Sequence, residues 1–352
     1  SKRCVEIQKT AYMGRDILYF MNRTQSFDFI AIGDITTDAF IRLSGDDATV
    51  VKDDHKKIKL CLNFGDKIEY DEVIDVPAVG NSPNASVAAR RLGLRSALIT
   101  NLGDDFHGKN CVAQLEKEGV ATDFVKVHKG KESNYHYVLW YEEERTILVK
   151  HHEYPYEMPD AGAPSWFYLS SLGEKSVAFH HDIAKYVRTH PGVKLAFQPG
   201  TFQMRLGQEL KDIYEASELF FCNVDEARRI LKTESAEIKT LLGGIRKLGP
   251  RIVVITDGPN GAYTYDGEDT WYISMFPDPK PPLDRTGAGD AFASTFTSML
   301  ALGKSIPKAL MRAPVNSMSV VQKVGAQEGL LSQKEIEEWL KKAPVNYAPK
   351  KI

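Results

Sequence analysis

No run in the 352-residue chain is apolar for anything near the ~20 residues that a bilayer-spanning helix needs. The opening SKRCVEIQKT also lacks the apolar stretch of a secretory signal. No membrane partner is expected, and the location expected is cytoplasmic. An excess of positive charge is missing too. Lys and Arg number 45 against 47 Asp and Glu, for a net charge of −2. Such a balance offers a nucleic-acid backbone no cationic field, so no nucleic-acid partner is expected. Cysteine is scarce: Cys4, Cys61, Cys111 and Cys222 are scattered without C-x-x-C or zinc spacing, and a reducing cytosol is the economical reading. What the chain does have is apolar material. With 43% hydrophobic and 26% charged residues it can bury a sizeable core, which excludes global disorder.

Apolar strands alternate with helix-length segments along most of the chain. FDFIAI (27–32) is a short buried strand that opens at once into Gly33-Asp34. Further strands are read at 96–100, 166–170, 194–197, 219–222 and 251–256, and helices at 84–92, 106–118, 176–189, 207–216, 225–231, 235–248, 289–302 and 306–323. This alternation predicts right-handed βαβ units, hence an α/β/α sandwich of three layers around a central, mostly parallel sheet. Two segments break the rhythm. ATVV and KIKLCL between charged turns, and NYHYVLWY followed by RTILVK, read as one small antiparallel sheet, a lid formed by about 39–76 and 133–150. Residues 1–26 read as an extension and 346–352 as a C-terminal tail.

The sharpest segment is DRTGAGDAF, 284–292. Gly287 and Gly289 permit close backbone approach just before an apolar-periodic helix, and the free N–H groups of a helix start attract anions. Asp290 in that first turn is either a helix cap or a general base beside the anion site. Asn223 and Glu226 in NVDE have the spacing of a capping box. Asp34 and Asp38 in GDITTD suit turn chemistry, and ITDGPNG (255–261) is a good turn. His107, His136, His151 and His152 have no metal-ligand spacing and are read as packing residues. The aromatic run Tyr135, Tyr137, Trp140 and Tyr141 is read as lid packing or a dimer clasp, with direct stacking on a substrate as the alternative.

DRTGAGDAF closely resembles the DTTGAGD-F signature of the ribokinase-like (PfkB) sugar kinases. GNSPNASVAARRLG (80–93), LGDDFHGKNCVAQLEKEG (102–119), NVDE (223–226) and VGAQE (324–328) resemble further motifs of that family, in the family's order. The resemblance implies a ribokinase-like domain over 27–345 that phosphorylates a hydroxyl of a small sugar with ATP. A nucleoside acceptor, or an inactive sugar- or nucleotide-binding relative, is the alternative. It implies Asp290 as base, with the backbone of Gly287, Ala288 and Gly289 as anion hole. It further implies that Asp38, Gly80, Asn81 and Asn84 bind the acceptor. Thr256, Gly258 and Gly261 would line the nucleotide, while Asn223 and Glu226 orient the waters of Mg²⁺. Arg285, where Thr is commoner, either reaches the nucleotide phosphates or is a solvated loop charge. Asp284 and the backbone near Gly325 align with a loop for a monovalent cation such as K⁺. Gln198-Pro199-Gly200 stands where many relatives have Asp-Pro-Asn, and Val79-Gly80 replaces a double glycine. A homodimer through the lid is expected.

Overall fold

The structure, a computed structural model, describes residues 27–44, 48–52, 58–142 and 144–352, so the extension 1–26 lies outside the described residues. The first half runs β1 (Phe29–Ile32), β2 (Thr36–Leu43), β3 (Ala48–Lys52), β4 (Ile58–Leu62), β5 (Tyr70–Val79), α1 (Asn81–Arg91), β6 (Ser96–Gly103), α2 (Phe106–Lys117), β7 (Val125–His128), β8 (Tyr135–Tyr141) and β9 (Glu144–Leu148). There follow β10 (Trp166–Leu169), α3 (Val177–Thr189), β11 (Lys194–Phe197), α4 (Thr201–Leu206), α5 (Lys211–Ala216), β12 (Leu219–Asn223), α6 (Val224–Leu231), α7 (Ile238–Arg246) and β13 (Ile252–Thr256). The chain closes with β14 (Ala262–Tyr265), β15 (Thr270–Ile273), α8 (Ala288–Ala301), α9 (Ile306–Val320), α10 (Gln333–Leu340) and β16 (Lys350–Lys351).

Every residue of β1 is buried because neither face of this strand meets water. Phe29 and Ala31 join one apolar cluster, with α1, α2, α8, α9 and α10; Ile30 and Ile32 join a second, with α3, α5, α6 and α7. Between these layers lies a ten-stranded sheet in the order β16-β15-β14-β13-β12-β11-β10-β1-β6-β7. From β13 to β7 all neighbours are parallel, whereas β14, β15 and β16 add antiparallel at one edge. The expected three-layer sandwich is what forms. Within it α8 is a central helix, buried continuously from Asp290 to Met299. No helix among the described residues is long and apolar enough to cross a membrane.

Several local readings are corrected. The helix read at 207–216 is a 3₁₀ turn over Gly207–Leu210 followed by α5, and Gly207, at φ +52°, separates it from α4, which was not foreseen. Strand β7 and helix α10 were not foreseen, and the expected tail carries β16, which pairs with β15. The lid is also more than one antiparallel sheet. A four-stranded sheet, β5-β2-β8-β9, stands beside a separate hairpin, β3-β4. Its central pair, β2 and β8, runs parallel. The reason lies in the core: β1 and β7 are co-directional, so the strands that follow them leave the same sheet edge in the same direction. The lid begins at Thr36, which makes Asp38 a lid residue.

Candidate active site

The start of α8 is set by backbone constraints. Gly287 has φ +78°, and a Cβ there would run into Ala326. Only glycine meets both demands. Among the described residues no side chain caps this helix, so its first N–H groups stay available where the helix dipole is positive. Gly80, which leads into α1, has φ +118° and passes so close to the Asp34 carbonyl that a Cβ would press on it.

Asp290 points away from capping duty. Its Oδ1 accepts from Asn81 Nδ2 at 2.7 Å and from Gln198 Nε2 at 3.2 Å, and its Oδ2 accepts from Asn84 Nδ2 at 2.8 Å. Asn81 and Asn84, expected on the acceptor, therefore orient the carboxylate. The donors are themselves fixed: Asn84 Oδ1 accepts from Gln327 Nε2 at 2.9 Å, and Gln198 Oε1 accepts from the Tyr168 hydroxyl. Burial pushes the Asp290 carboxyl above the ordinary aspartate value, while the amides of Asn84, Asn81 and Gln198 pull it back.

Two cavities meet at this helix start. One, of about 580 Å³, is lined by Asp38, Gly80, Asn81 and Asn84 and floored by Asp290. The other, of about 600 Å³, is lined by Asn223, Thr256, Gly258, Gly261, Arg285 and Ala288. Gly289 lines both. In the first cavity Asp38 Oδ1 lies 3.3 Å from His136 Nδ1, and both Asp38 Oδ1 and His136 Nε2 are buried without a hydrogen-bond partner among the described residues. His151 joins the same wall. Asp34 is tied by the Tyr156 hydroxyl at 3.0 Å and the Gly173 N–H at 2.8 Å, and burial pushes its carboxyl up to about 6.

The sequence profile of pfkB family carbohydrate kinases matches residues 54–333. The chain belongs to the pfkB family of carbohydrate kinases. It is 27% identical over 270 residues to a ribokinase of Bacillus subtilis, covering 74% of this chain and 87% of the relative. To a nucleoside kinase of Methanothermobacter thermautotrophicus it is 24% identical over 256 residues, covering 71% and 80%. The fold is similar to that of an Arabidopsis thaliana ribokinase solved with ribose and ATP, with a TM-score of 0.73, 19% identity and coverage of 90% and 99%.

For a pfkB protein the metal question has two parts. Asn223 and Glu226 do form the capping box, with Glu226 N donating to Asn223 Oδ1 and Asn223 N to Glu226 Oε2, both at 2.8 Å. That box uses one of the two Glu226 carboxylate oxygens. Burial pushes the Glu226 carboxyl up, and the charges of Asp290 and Asp225 add to the shift while the Asn223 backbone N–H and Arg229 oppose it. Among the described residues no group of three or more His, Cys, Asp or Glu could hold a metal ion. The arrangement fits Mg²⁺ held chiefly by phosphates and water, as that ion prefers. The monovalent cation does not fit. Asp284 Oδ1 accepts from Thr286 N at 2.7 Å and Oδ2 from Gly325 N at 2.8 Å, and the Arg145 guanidinium already occupies the carboxylate.

Four site groups escaped the sequence reading in their roles: Gln198, His136, His151 and Arg145. His136 faces Asp38 because β2 and β8 pair in that register, a long-range fact that no local pattern carries. Gln198 stood out only as a departure from the family pattern.

The three amides favour ionised Asp290, so losing one raises its pKa. The base form disappears as pH falls through that value. Gln198→Leu is therefore expected to move the acid limb of the kcat/KM profile to higher pH. An unshifted limb would separate Gln198 from the base.

Proposed function

We propose that this kinase transfers the γ-phosphoryl group of ATP to a hydroxyl of a small sugar or sugar-like acceptor. One observation carries the reading: two cavities share Gly289 at an uncapped helix start, and the next residue, Asp290, lines the first of them. The acceptor would sit under the lid against Asp38 and Gly80. Its hydroxyl would give its proton to Asp290 as its oxygen bonds the γ-phosphorus, and the bond from that phosphorus to the β-phosphate oxygen breaks to release ADP. The N–H groups of Gly287, Ala288 and Gly289 would take up charge developing on the transferred group. Mg²⁺ arriving with the nucleotide supplies neutralisation of the phosphates. Asn223 and Glu226 would hold its waters, and Thr256, Gly258, Gly261 and Arg285 would line the nucleotide. The ATP held by the Arabidopsis ribokinase supports this donor.

A nucleoside is the second reading. Phe40 and Phe202 on the wall of the acceptor cavity offer a base an aromatic surface, and the Methanothermobacter relative is a nucleoside kinase. ADP release screened over sugars, sugar acids, sugar phosphates and nucleosides separates the two, and its complete absence would leave the inactive-relative alternative.

With the acceptor found, Asp290→Asn is expected to lower turnover by ~10²–10⁴ while ATP binding stays within a few-fold. Retention of more than about a tenth of the wild-type rate would remove Asp290 as base.

Glu226→Gln is expected to shift the Mg²⁺ titration of activity more than the acceptor KM, since the carboxylate acts through metal-bound water. An unchanged titration would reduce the pair to a helix cap.

The lid leaves Val50, Val51, Ile58, Val73, Tyr137 and Leu148 exposed. A second copy of the chain would cover such a surface, and light scattering is expected to give twice the chain mass at micromolar concentration. A monomer there would reject the lid dimer.

A further inference from the structure

Arg145 belongs to the lid, in β9, yet its guanidinium leaves the lid sheet and pairs with Asp284 in the loop that leads into α8. The two side chains keep only 10% and 3% of their surface exposed. Asp284 has further duties. Its Oδ1 accepts from Thr286 N, next to Gly287, and its Oδ2 from Gly325 N, next to the Ala326 against which Gly287 packs. One carboxylate thus clips together both backbone segments that shape the phosphate nest. Its charge is balanced by a residue 139 positions away, on the element that covers the acceptor.

We propose that Arg145 is a positioning residue: its guanidinium fills at Asp284 the place of a monovalent cation and makes a receptive phosphate nest depend on a closed lid. The inference rests on the kinase reading of the site. Burial lowers the guanidinium only to about 10, Glu144 favouring and Arg285 opposing its charge, so the group stays cationic at neutral pH. With the lid open Arg145 withdraws, and the Asp284 carboxylate is left beside the site for nucleotide phosphates. A buried charge without its partner is costly, and a negative one repels the ligand as well. With the lid closed the carboxylate is neutralised and the nest accepts phosphate. Asp38 and His136 are on lid strands too. An acceptor that draws them inward therefore brings Arg145 into place, and nucleotide and acceptor favour each other's binding. A chain that carries its own cation has no need of K⁺.

Calorimetry of the full chain with Mg²⁺ and a β,γ-imido analogue of ATP tests this, in tetramethylammonium and in potassium buffers. The wild type is expected to bind equally in both. Arg145→Ala is expected to bind about tenfold more weakly without K⁺, to recover with K⁺ or millimolar guanidinium, and Arg145→Lys to resemble the wild type. Wild-type affinity that rises several-fold with K⁺ overturns the proposal and requires no variant. So does a folded Arg145→Ala protein that matches the wild type in tetramethylammonium. These binding arms decide the role of Arg145 by themselves. Absence of ADP release from the wild type with every acceptor class is a separate outcome, which overturns the kinase reading.

Discussion

A carboxylate kept in a dry place by three amide donors is the constraint on which the rest of this structure depends. As the proposed base, Asp290 would have to stay ionised to take a proton, yet it sits in the first turn of a buried helix. Desolvation favours the protonated acid, and the amides favour the anion. The donors come from two places: Asn81 and Asn84 from α1, Gln198 from the loop after β11. Helix α1, the end of the parallel sheet and helix α8 must therefore all be correctly placed before the base is usable. A kinase with this design links its chemistry to the integrity of both the sheet and one helical layer.

In the proposed reaction the same helix start would have to attract phosphates while standing among carboxylates. Asp290, Glu226 and Asp284 all lie around it, and the Asp290 charge pushes up the pKa of Glu226. Uncapped N–H groups and the helix dipole oppose this negative field only locally. The structure neutralises Asp284 with a guanidinium from the lid, and the proposed Mg²⁺ would offset charge on the side of Glu226. On the proposed mechanism, favourable electrostatics for phosphoryl transfer would thus belong to the assembled, closed state, which would also exclude water from the reacting group.

What was legible in the sequence was local. The βα alternation, the strand FDFIAI, the capping spacing of Asn223 and Glu226 and the glycines before α8 each express a backbone or burial requirement of a few residues. The capping box of Ser332 and Glu335 announces α10 just as clearly, and was not read. Less legible were contacts that depend on pairing between distant segments. The parallel register of β2 and β8 sets His136 beside Asp38, and the pairing of β9 with β8 aims Arg145 at Asp284. No periodicity in NYHYVLWY or RTILVK encodes either, because the partner is chosen by the direction in which the core sheet releases each strand.

Gln198 shows how a departure from a family pattern follows from the same electrostatics. Its amide accepts from Tyr168 with one end and donates to Asp290 with the other. An aspartate in that place, as many relatives have in Asp-Pro-Asn, could not donate while ionised. A carboxylate in that neighbourhood would also add a second negative charge near Asp290, which disfavours ionisation of either group. Tyr168 is fully buried and its own pKa is pushed well up, so it remains a hydroxyl donor and fixes which end of the Gln198 amide faces the base. A glutamine here adds a third donor to a base already raised by burial. It thereby widens the pH range in which Asp290 stays ionised, as the proposed base would need to be.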